Sequence, residues 1–128
     1  MIENERGEVL LCGRAYEPDK GKLDLPGGFL EFGEHPEEAI HREIREELGV
    51  EIAIEGLLGF VMDRYETDEV ATLNIPFRAR IVNGTPAPAD DVAAIHWLRL
   101  ADIDRSQLAF RNNETILFEL YGKQVGDR

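Results

Sequence analysis

The sequence predicts an α/β fold in which helices are layered against a mixed β-sheet. Three observations predict it: a helical pattern over residues 36–48, short apolar strand-like runs on both sides of it, and a second helical pattern near residues 114–121. Strands interspersed with separate helices favour α/β layers. The 128 residues carry no internal repeat and no linker, so a single domain over residues 1–128 is expected.

The segment before the first helix combines one strand with a turn-rich loop. Val9–Cys12 is an apolar run and predicts a strand. Residues 17–28 are rich in proline and glycine and predict turns, and Phe29–Phe32 predicts a brief extended piece.

The helix over residues 36–48 has both a start and a stop signal. Pro36 suits the first helical position, which makes His35 the N-cap. Gly49 suits a left-handed C-cap. An apolar residue recurs at every fourth position and predicts a buried stripe: Ile40, Ile44 and Leu48.

The remainder of the chain predicts further strands and a last helix. Residues 50–62, interrupted by Gly56 and Gly59, and residues 71–82 predict strands. Asn83-Gly84 predicts a tight turn, and residues 95–98 predict a later strand. The last helix is expected to begin near Asn112 or Asn113, where asparagine suits an N-cap, and to end near Gly122.

The charge balance restricts the partners. The chain has 14 Lys and Arg against 26 Asp and Glu, for a net charge of −12. Nucleic acids and anionic membranes attract basic surfaces, so neither partner is expected. The N-terminal residues lack the pattern of a signal peptide, and a cytoplasmic protein is expected. The one cysteine, Cys12, can form neither an intrachain disulfide nor a thiolate metal cluster.

Three glutamates on the first helix predict a cation site. At about 100° per residue, Glu43, Glu46 and Glu47 share one arc, with Arg42 at its margin. A hard divalent cation such as Mg²⁺ would relieve their repulsion. The alternative is a solvated acidic face. The adjacent glycines 27 and 28 allow a backbone carbonyl to approach an ion closely.

The spacing of these residues resembles a known signature. Gly28-x5-Glu34-x7-Arg42-Glu43-Ile44-x-Glu46-Glu47-x-Gly49-Val50 is similar to the Nudix box, G-x5-E-x7-R-E-U-x-E-E-x-G-U, in which U is apolar, and all nine defined positions match. The resemblance implies a Nudix-type α/β/α sandwich. It also implies a hydrolase, dependent on Mg²⁺ or Mn²⁺, that cleaves the pyrophosphate linkage of a nucleoside diphosphate joined to another moiety.

The resemblance also implies roles for individual residues. The implied metal ligands are Glu43, Glu46, Glu47 and the backbone carbonyl of Gly27. The implied catalytic set is Glu34, Arg42, Glu43 and Glu47, in which Arg42 and Glu34 orient the glutamates. The general base is not fixed in this family, so Asp90 or Asp91 is a candidate for the base or a further metal ligand. The alternative is that both are solvated loop acids.

The substrate is left open by the sequence. Arg14 is a candidate phosphate contact and Asn113 a candidate contact to the base, although an N-cap role explains an asparagine equally well. Tyr65 lies near the placement expected in dinucleoside polyphosphate hydrolases, with a strand-end tyrosine as the alternative. A catalytically silent nucleotide-sensing module is the alternative function, and the intact glutamate set favours the enzyme. Nudix domains usually open with a full strand before the segment that matches Val9–Cys12, whereas here only a few polar residues precede it, so the first strand is expected to be clipped. A homodimer would cover the sheet edge that this exposes.

Overall fold

The computed structural model describes residues 1–64 and 71–126 and places helices on both faces of a β-sheet. The strands are β1 Val9–Arg14, β2 Leu23–Asp24, β3 Glu51–Leu57, β4 Val61–Arg64, β5 Ala71–Asn74, β6 Phe77–Asn83 and β7 Val92–Leu98. The helices are α1 Pro36–Leu48, α2 Arg111–Glu114 and α3 Gly122–Gly126, with a π-helical segment Thr115–Tyr121 between the last two and 3₁₀ turns at Leu100–Asp102 and Arg105–Gln107.

The N-terminal residues join two groups of strands into one mixed sheet. Strand β1 pairs antiparallel with β2 and β7, β3 pairs with β6, and β4 pairs with β5. Ile2 bridges Ala79 of β6 in parallel, while Glu3 bridges Val9 of β1 in antiparallel fashion. Ile2 and Glu3 therefore connect β6 to β1 across the sheet.

Strand β1 separates two hydrophobic cores because its side chains alternate between the faces of the sheet. Val9 and Leu11 point to the core that contains Leu117 of the π-helical segment. Leu10 and Cys12 point to the other core, which contains Ile44 and Leu48 of α1. Each buried aliphatic side chain of this kind contributes about 1.5–3 kcal/mol of transfer free energy, which holds α1 firmly on the sheet.

Helix α1 has the predicted bounds and both predicted caps. The His35 side chain accepts a hydrogen bond from the Glu37 amide at 3.1 Å, which satisfies a donor of the first turn. Gly49 adopts φ 70°, the left-handed conformation for which glycine carries no Cβ penalty. The predicted strand at Val9–Cys12 is also confirmed, with two more residues at its end.

Several predicted strands are corrected by the structure. Residues 50–62 are divided between β3 and β4 by a break over residues 58–60, which contains Gly59, whereas Gly56 lies within β3. Residues 71–82 are also divided, because Pro76 has no N–H for the ladder and lies between β5 and β6. Phe29–Phe32 forms no strand, whereas Leu23–Asp24, inside the predicted turn region, does.

The start of the last helix is also corrected. Phe110, not Asn112 or Asn113, is the N-cap of α2. Asn113 lies in the first turn, where its Oδ1 accepts the Phe110 backbone N–H at 3.1 Å. Within residues 1–64 and 71–126, no helix combines the length and the apolar character needed to cross a membrane.

Candidate active site

Arg42 of α1 is bound at two points by Glu34 of the preceding loop. Its Nε donates to Glu34 Oε2 at 2.7 Å and its Nη2 donates to Glu34 Oε1 at 3.0 Å. This fork-to-fork geometry is the strongest that arginine makes with a carboxylate. The contact lowers the pKa of Glu34 to about 2 and raises that of Arg42. The predicted pairing of these two box residues is therefore present as a direct ion pair.

The other side of the same guanidinium reaches the helix glutamates. Arg42 Nη1 donates to Glu43 Oε1 at 2.9 Å and to Glu46 Oε2 at 3.3 Å. Its Nη2 also donates to the Phe29 carbonyl at 3.1 Å. The long Arg42 side chain therefore extends from the margin of the acidic arc to the carboxylates within it.

The Glu43 carboxylate occupies the space that a side chain at position 28 would need. A Cβ atom added at Gly28 would lie 2.3 Å from Glu43 Cδ and 2.4 Å from Glu43 Oε1. Real Cβ atoms do not approach other atoms this closely, so a side chain here would displace the carboxylate. The glycine of the box thus allows the loop backbone to pack directly against the helix.

Glu47 is the buried member of the glutamate set, with 6 % of its surface exposed. Its pKa is raised to about 9, mainly by burial and in addition by the nearby carboxylates of Asp91 and Glu43. A hydrogen bond from the Gly27 backbone acts in the opposite direction. Glu47 therefore lies where a negative charge is costly and where its neighbours include two more acidic groups.

The loop that carries Asp91 is fixed to the end of α1. Ala87 N–H donates to the Leu48 carbonyl at 3.1 Å, and Ala89 N–H donates to the Glu47 carbonyl at 3.0 Å. These two bonds satisfy carbonyls that the last turn of a helix leaves without partners. The same bonds bring Asp91 close to the Glu47 side chain.

A small cavity lies at the junction of this loop, α1 and the sheet. Its volume is about 30 Å³, enough for a water molecule or a metal ion, and residues from several elements line it: Cys12, Arg14, Asp24, Gly27, Glu47 and Asp91. Asp90 is not among the lining residues. Its side chain is exposed, and its backbone φ of 53° lies in the left-handed region. Burial raises the pKa of the Cys12 thiol far above its ordinary value, so this cysteine is not a thiolate ligand.

The donor set suits a hard divalent cation, although its side chains are not yet arranged around one. Among the described residues, no group of three or more aspartate, glutamate, histidine or cysteine side chains lies close enough together to bind one metal ion. Arg42 holds the carboxylates of Glu43 and Glu46 in ion pairs. Carboxylate and carbonyl oxygens are the ligands that Mg²⁺ and Mn²⁺ prefer, and the buried Glu47 beside Asp91 is the feature that a cation would stabilise.

The candidate substrate contacts separate into one at the cavity and one in the interior. Arg14 lines the cavity, with its Nε donating to the Pro18 carbonyl at 2.9 Å. Asn113 is only 1 % exposed, and both N–H bonds of its amide donate to protein acceptors, Asp24 Oδ1 at 3.0 Å and Asn112 Oδ1 at 3.2 Å. The expectation that Asn113 reads the base is therefore replaced by an interior role.

Two acidic residues of the site were not predicted, and one candidate cannot be placed. Asp24 was not predicted, although its position opposite Cys12 in the β1–β2 register brings it to the cavity face. Glu31 also joins the Arg42 cluster, at 3.6 Å from Nη1. Tyr65 lies outside the described residues.

Comparison with known proteins identifies the family. The model of the NUDIX domain matches residues 1–118. An ADP-ribose pyrophosphatase of Methanocaldococcus jannaschii is 33 % identical over 116 residues, covering 91 % of this chain and 67 % of that protein. A MutT-like protein of Streptomyces ambofaciens is 31 % identical over 98 residues, covering 77 % of this chain and 59 % of that protein.

Shorter matches and solved structures agree with these relatives. An 8-oxo-dGTP diphosphatase of Escherichia coli is 43 % identical over 51 residues, which are 39 % of this chain and 40 % of that protein. The crystal structure of a MutT NUDIX hydrolase from Burkholderia pseudomallei superposes with a TM-score of 0.76 at 28 % identity, covering 93 % of this chain and 92 % of that one. The chain therefore belongs to the NUDIX family, and both the motif-based identification and the predicted α/β sandwich are confirmed.

Proposed function

We propose that this member of the NUDIX family hydrolyses the pyrophosphate linkage of a nucleoside diphosphate joined to another moiety, with Mg²⁺ or Mn²⁺ as cofactor. The observation that carries the proposal is the convergence of Glu47, Asp91 and the Gly27 backbone on one cavity beside Glu43. The names of the relatives support it, because pyrophosphatases and diphosphatases cleave this class of bond.

The box residues would hold the cation with their oxygens. The proposed ligands are Glu43, Glu46, Glu47 and the Gly27 carbonyl. When bound, the metal would neutralise phosphate charge and lower the pKa of an attacking water. Arg42 would keep Glu43 in place through its contact with Glu34, so that the carboxylate does not need to be ordered during the reaction.

A carboxylate must accept the proton of the water that attacks phosphorus. Glu43 and Asp91 are the better candidates, because each lies near Glu47, whereas Asp90 does not line the cavity. The two can be separated by measuring the pH dependence of kcat for Glu43→Gln and Asp91→Asn. The variant that lacks the base should lose the acidic limb of the profile as well as rate.

Two substrate classes follow from the relatives. ADP-ribose has its pyrophosphate between two sugars, whereas 8-oxo-dGTP carries it at the end of a triphosphate. The M. jannaschii ADP-ribose pyrophosphatase matches 91 % of this chain and the E. coli 8-oxo-dGTP diphosphatase matches 39 %. We therefore favour ADP-ribose or a related nucleoside diphosphate sugar as the first substrate to test. The proposed partner is this small nucleotide, without nucleic acid or membrane.

The proposal is tested by incubating the protein with a panel of nucleotides in Mg²⁺, Mn²⁺ or EDTA. The panel contains ADP-ribose, NADH, 8-oxo-dGTP, dGTP, a dinucleoside polyphosphate and a nucleotide sugar. Chromatography of the products identifies the bond that is cut, since ADP-ribose would give AMP and ribose 5-phosphate. Turnover that disappears in EDTA and in Glu47→Gln supports the proposal. No turnover of any compound with either metal would reject it and favour the silent sensing module, which would still bind a nucleotide in calorimetry.

A further inference from the structure

We propose that Asn113 is a positioning residue, which holds the guanidinium of Arg14 beside the cavity through the carboxylate of Asp24. Asn113 Nδ2 donates to Asp24 Oδ1 at 3.0 Å, and Arg14 Nη1 donates to Asp24 Oδ2 at 3.5 Å. The two oxygens of one carboxylate thus connect a buried amide to an arginine that lines the cavity. The consequence for catalysis rests on the proposed function.

The backbone before α2 brings Asn113 to this place. Leu108 forms a parallel bridge with Leu23 of β2, and Ala109 N–H donates to the Leu23 carbonyl at 2.8 Å. This pairing carries the chain past the outer edge of β2, so that α2 begins next to Asp24. Asn113 Oδ1 accepts the Phe110 N–H at 3.1 Å, which fixes the rotamer of its amide.

Arg14 is restrained on several sides. Its Nε donates to the Pro18 carbonyl at 2.9 Å, and its guanidinium lies 5.0 Å from the centre of the Phe110 ring. Asp24 supplies the ionic contact, and Phe110 is also the N-cap residue to which Asn113 is bonded. Asn113 therefore acts on both the carboxylate and the ring that hold Arg14.

The remaining donors of Arg14 are the ones that a ligand can use. Nε and one N–H of Nη1 have acceptors, and a guanidinium carries five donors. Within the described part of the chain, Nη2 makes no hydrogen bond. An arginine fixed with its outer N–H bonds unused and next to Glu47 and Asp91 suits the phosphate of a nucleotide.

The link can be tested without any substrate. In ¹⁵N-labelled protein, the Arg14 Nε–H signal should be protected from exchange with water, because it donates to Pro18 and is restrained by Asp24. Asn113→Ala should increase its exchange rate about tenfold or more, as expected for loss of a hydrogen bond to a charged group. Asn74→Ala is the matched control. Its amide donates to the Val61 carbonyl instead of to Asp24, so the Arg14 signal should not change. An unchanged Arg14 signal in Asn113→Ala overturns the proposal.

Kinetics on the substrate that the panel identifies tests the consequence. Asn113→Ala should raise KM about tenfold with kcat within about twofold, and it should add nothing in a protein that already carries Arg14→Ala. A role in base recognition would instead give a loss that persists with Arg14→Ala and differs between adenosine and guanosine substrates, and this result would overturn the proposal. If no substrate is turned over, the proposed function fails, while the exchange measurement still decides the role of Asn113.

A second pair of variants covers the case in which Asn113→Ala does not fold. Asp24→Asn tests the same link from strand β2 and retains the side-chain shape, while it removes the charge that attracts Arg14. It should release the Arg14 signal and raise KM in the same way. A folded Asp24→Asn protein with a wild-type Arg14 signal and KM would reject the proposed link.

Discussion

Replacing Glu47 by glutamine should stabilise the metal-free protein while abolishing its response to metal. The wild-type carboxyl group is 6 % exposed, with Asp91 and Glu43 nearby, and its pKa is raised to about 9 from the ordinary 4.5. Glutamine has nearly the same shape and can still accept the hydrogen bond from the Gly27 backbone. Its amide can also donate to a neighbouring carboxylate, which a glutamate anion cannot do.

The magnitude and its pH dependence follow from linkage. Below pH 4.5 the carboxyl group is protonated in both the folded and the unfolded chain, so its contribution is fully retained. Between 4.5 and 9 the folded chain keeps a proton that the unfolded chain releases, so stability falls with rising pH by about 1.4 kcal/mol per unit. The loss relative to acid pH reaches an upper bound of about 3 kcal/mol at pH 7 and about 6 kcal/mol above pH 9. Glu47→Gln lacks this loss.

Urea unfolding in EDTA at pH 6, 7.5 and 9 measures the difference directly. Glu47→Gln should exceed wild type by an amount that grows across this series. Addition of millimolar Mg²⁺ or Mn²⁺ should stabilise wild type but not the variant, because a ligand that binds only the folded state stabilises it. Glu38→Gln is the control, since this exposed glutamate of the same helix should change stability by less than about 0.5 kcal/mol. A variant that is less stable than wild type at all three pH values refutes the reasoning.

Three further predictions concern the loop, the ion pair and the opposite core. Gly28→Ala should lower kcat at least tenfold with little change in melting temperature, because the added Cβ would overlap the Glu43 carboxylate and displace it. Wild-type turnover would contradict this. Arg42→Lys should lower metal affinity in calorimetry, because an ammonium cannot reproduce the two-point contact of Arg42 with its loop carboxylate, and unchanged affinity would remove Arg42 from the positioning role. Tyr121→Phe should lower the free energy of unfolding in urea by about 1–2 kcal/mol, because it removes the hydroxyl that donates to Glu3. Its kcat/KM should be unchanged, since Tyr121 packs in the core on the opposite face of the sheet from α1.

Local signals determined which elements could be predicted. Helix α1 was predicted to the residue because Pro36, Gly49 and the apolar stripe all act within the segment itself. Strand β1 was predicted from its apolar run for the same reason. The pairing of Arg42 with Glu34 came from the resemblance to the family motif, since nothing in the spacing alone brings a loop carboxylate back to the helix.

The missed features depend on contacts between distant segments. Strand β2 is two residues long and exists because β1 and the segment before α2 pair with it on either side. Asn113 looked like a helix cap or a ligand contact. Its Asp24 partner is 89 residues away in the chain, so no local pattern could indicate the bond. The division of residues 71–82 is a different case, because Pro76 was visible in the sequence and its missing N–H predicts the break.

The acidic arc of α1 is neutralised unevenly, and this bears on where a cation would act. Arg42 is within ion-pair distance of the carboxylates of Glu34, Glu43 and Glu46, so these three already have a positive partner. Glu47 lies beyond this network, and the neighbours that shift its pKa include Asp91 and Glu43, both acidic. Since the Coulomb energy of a charge pair grows as water is excluded, repulsion is strongest where Glu47 is buried. The net charge of −12 is thus less informative than its distribution. The stabilisation that a divalent cation could provide is concentrated around Glu47 and Asp91 instead of along the exposed face of the helix.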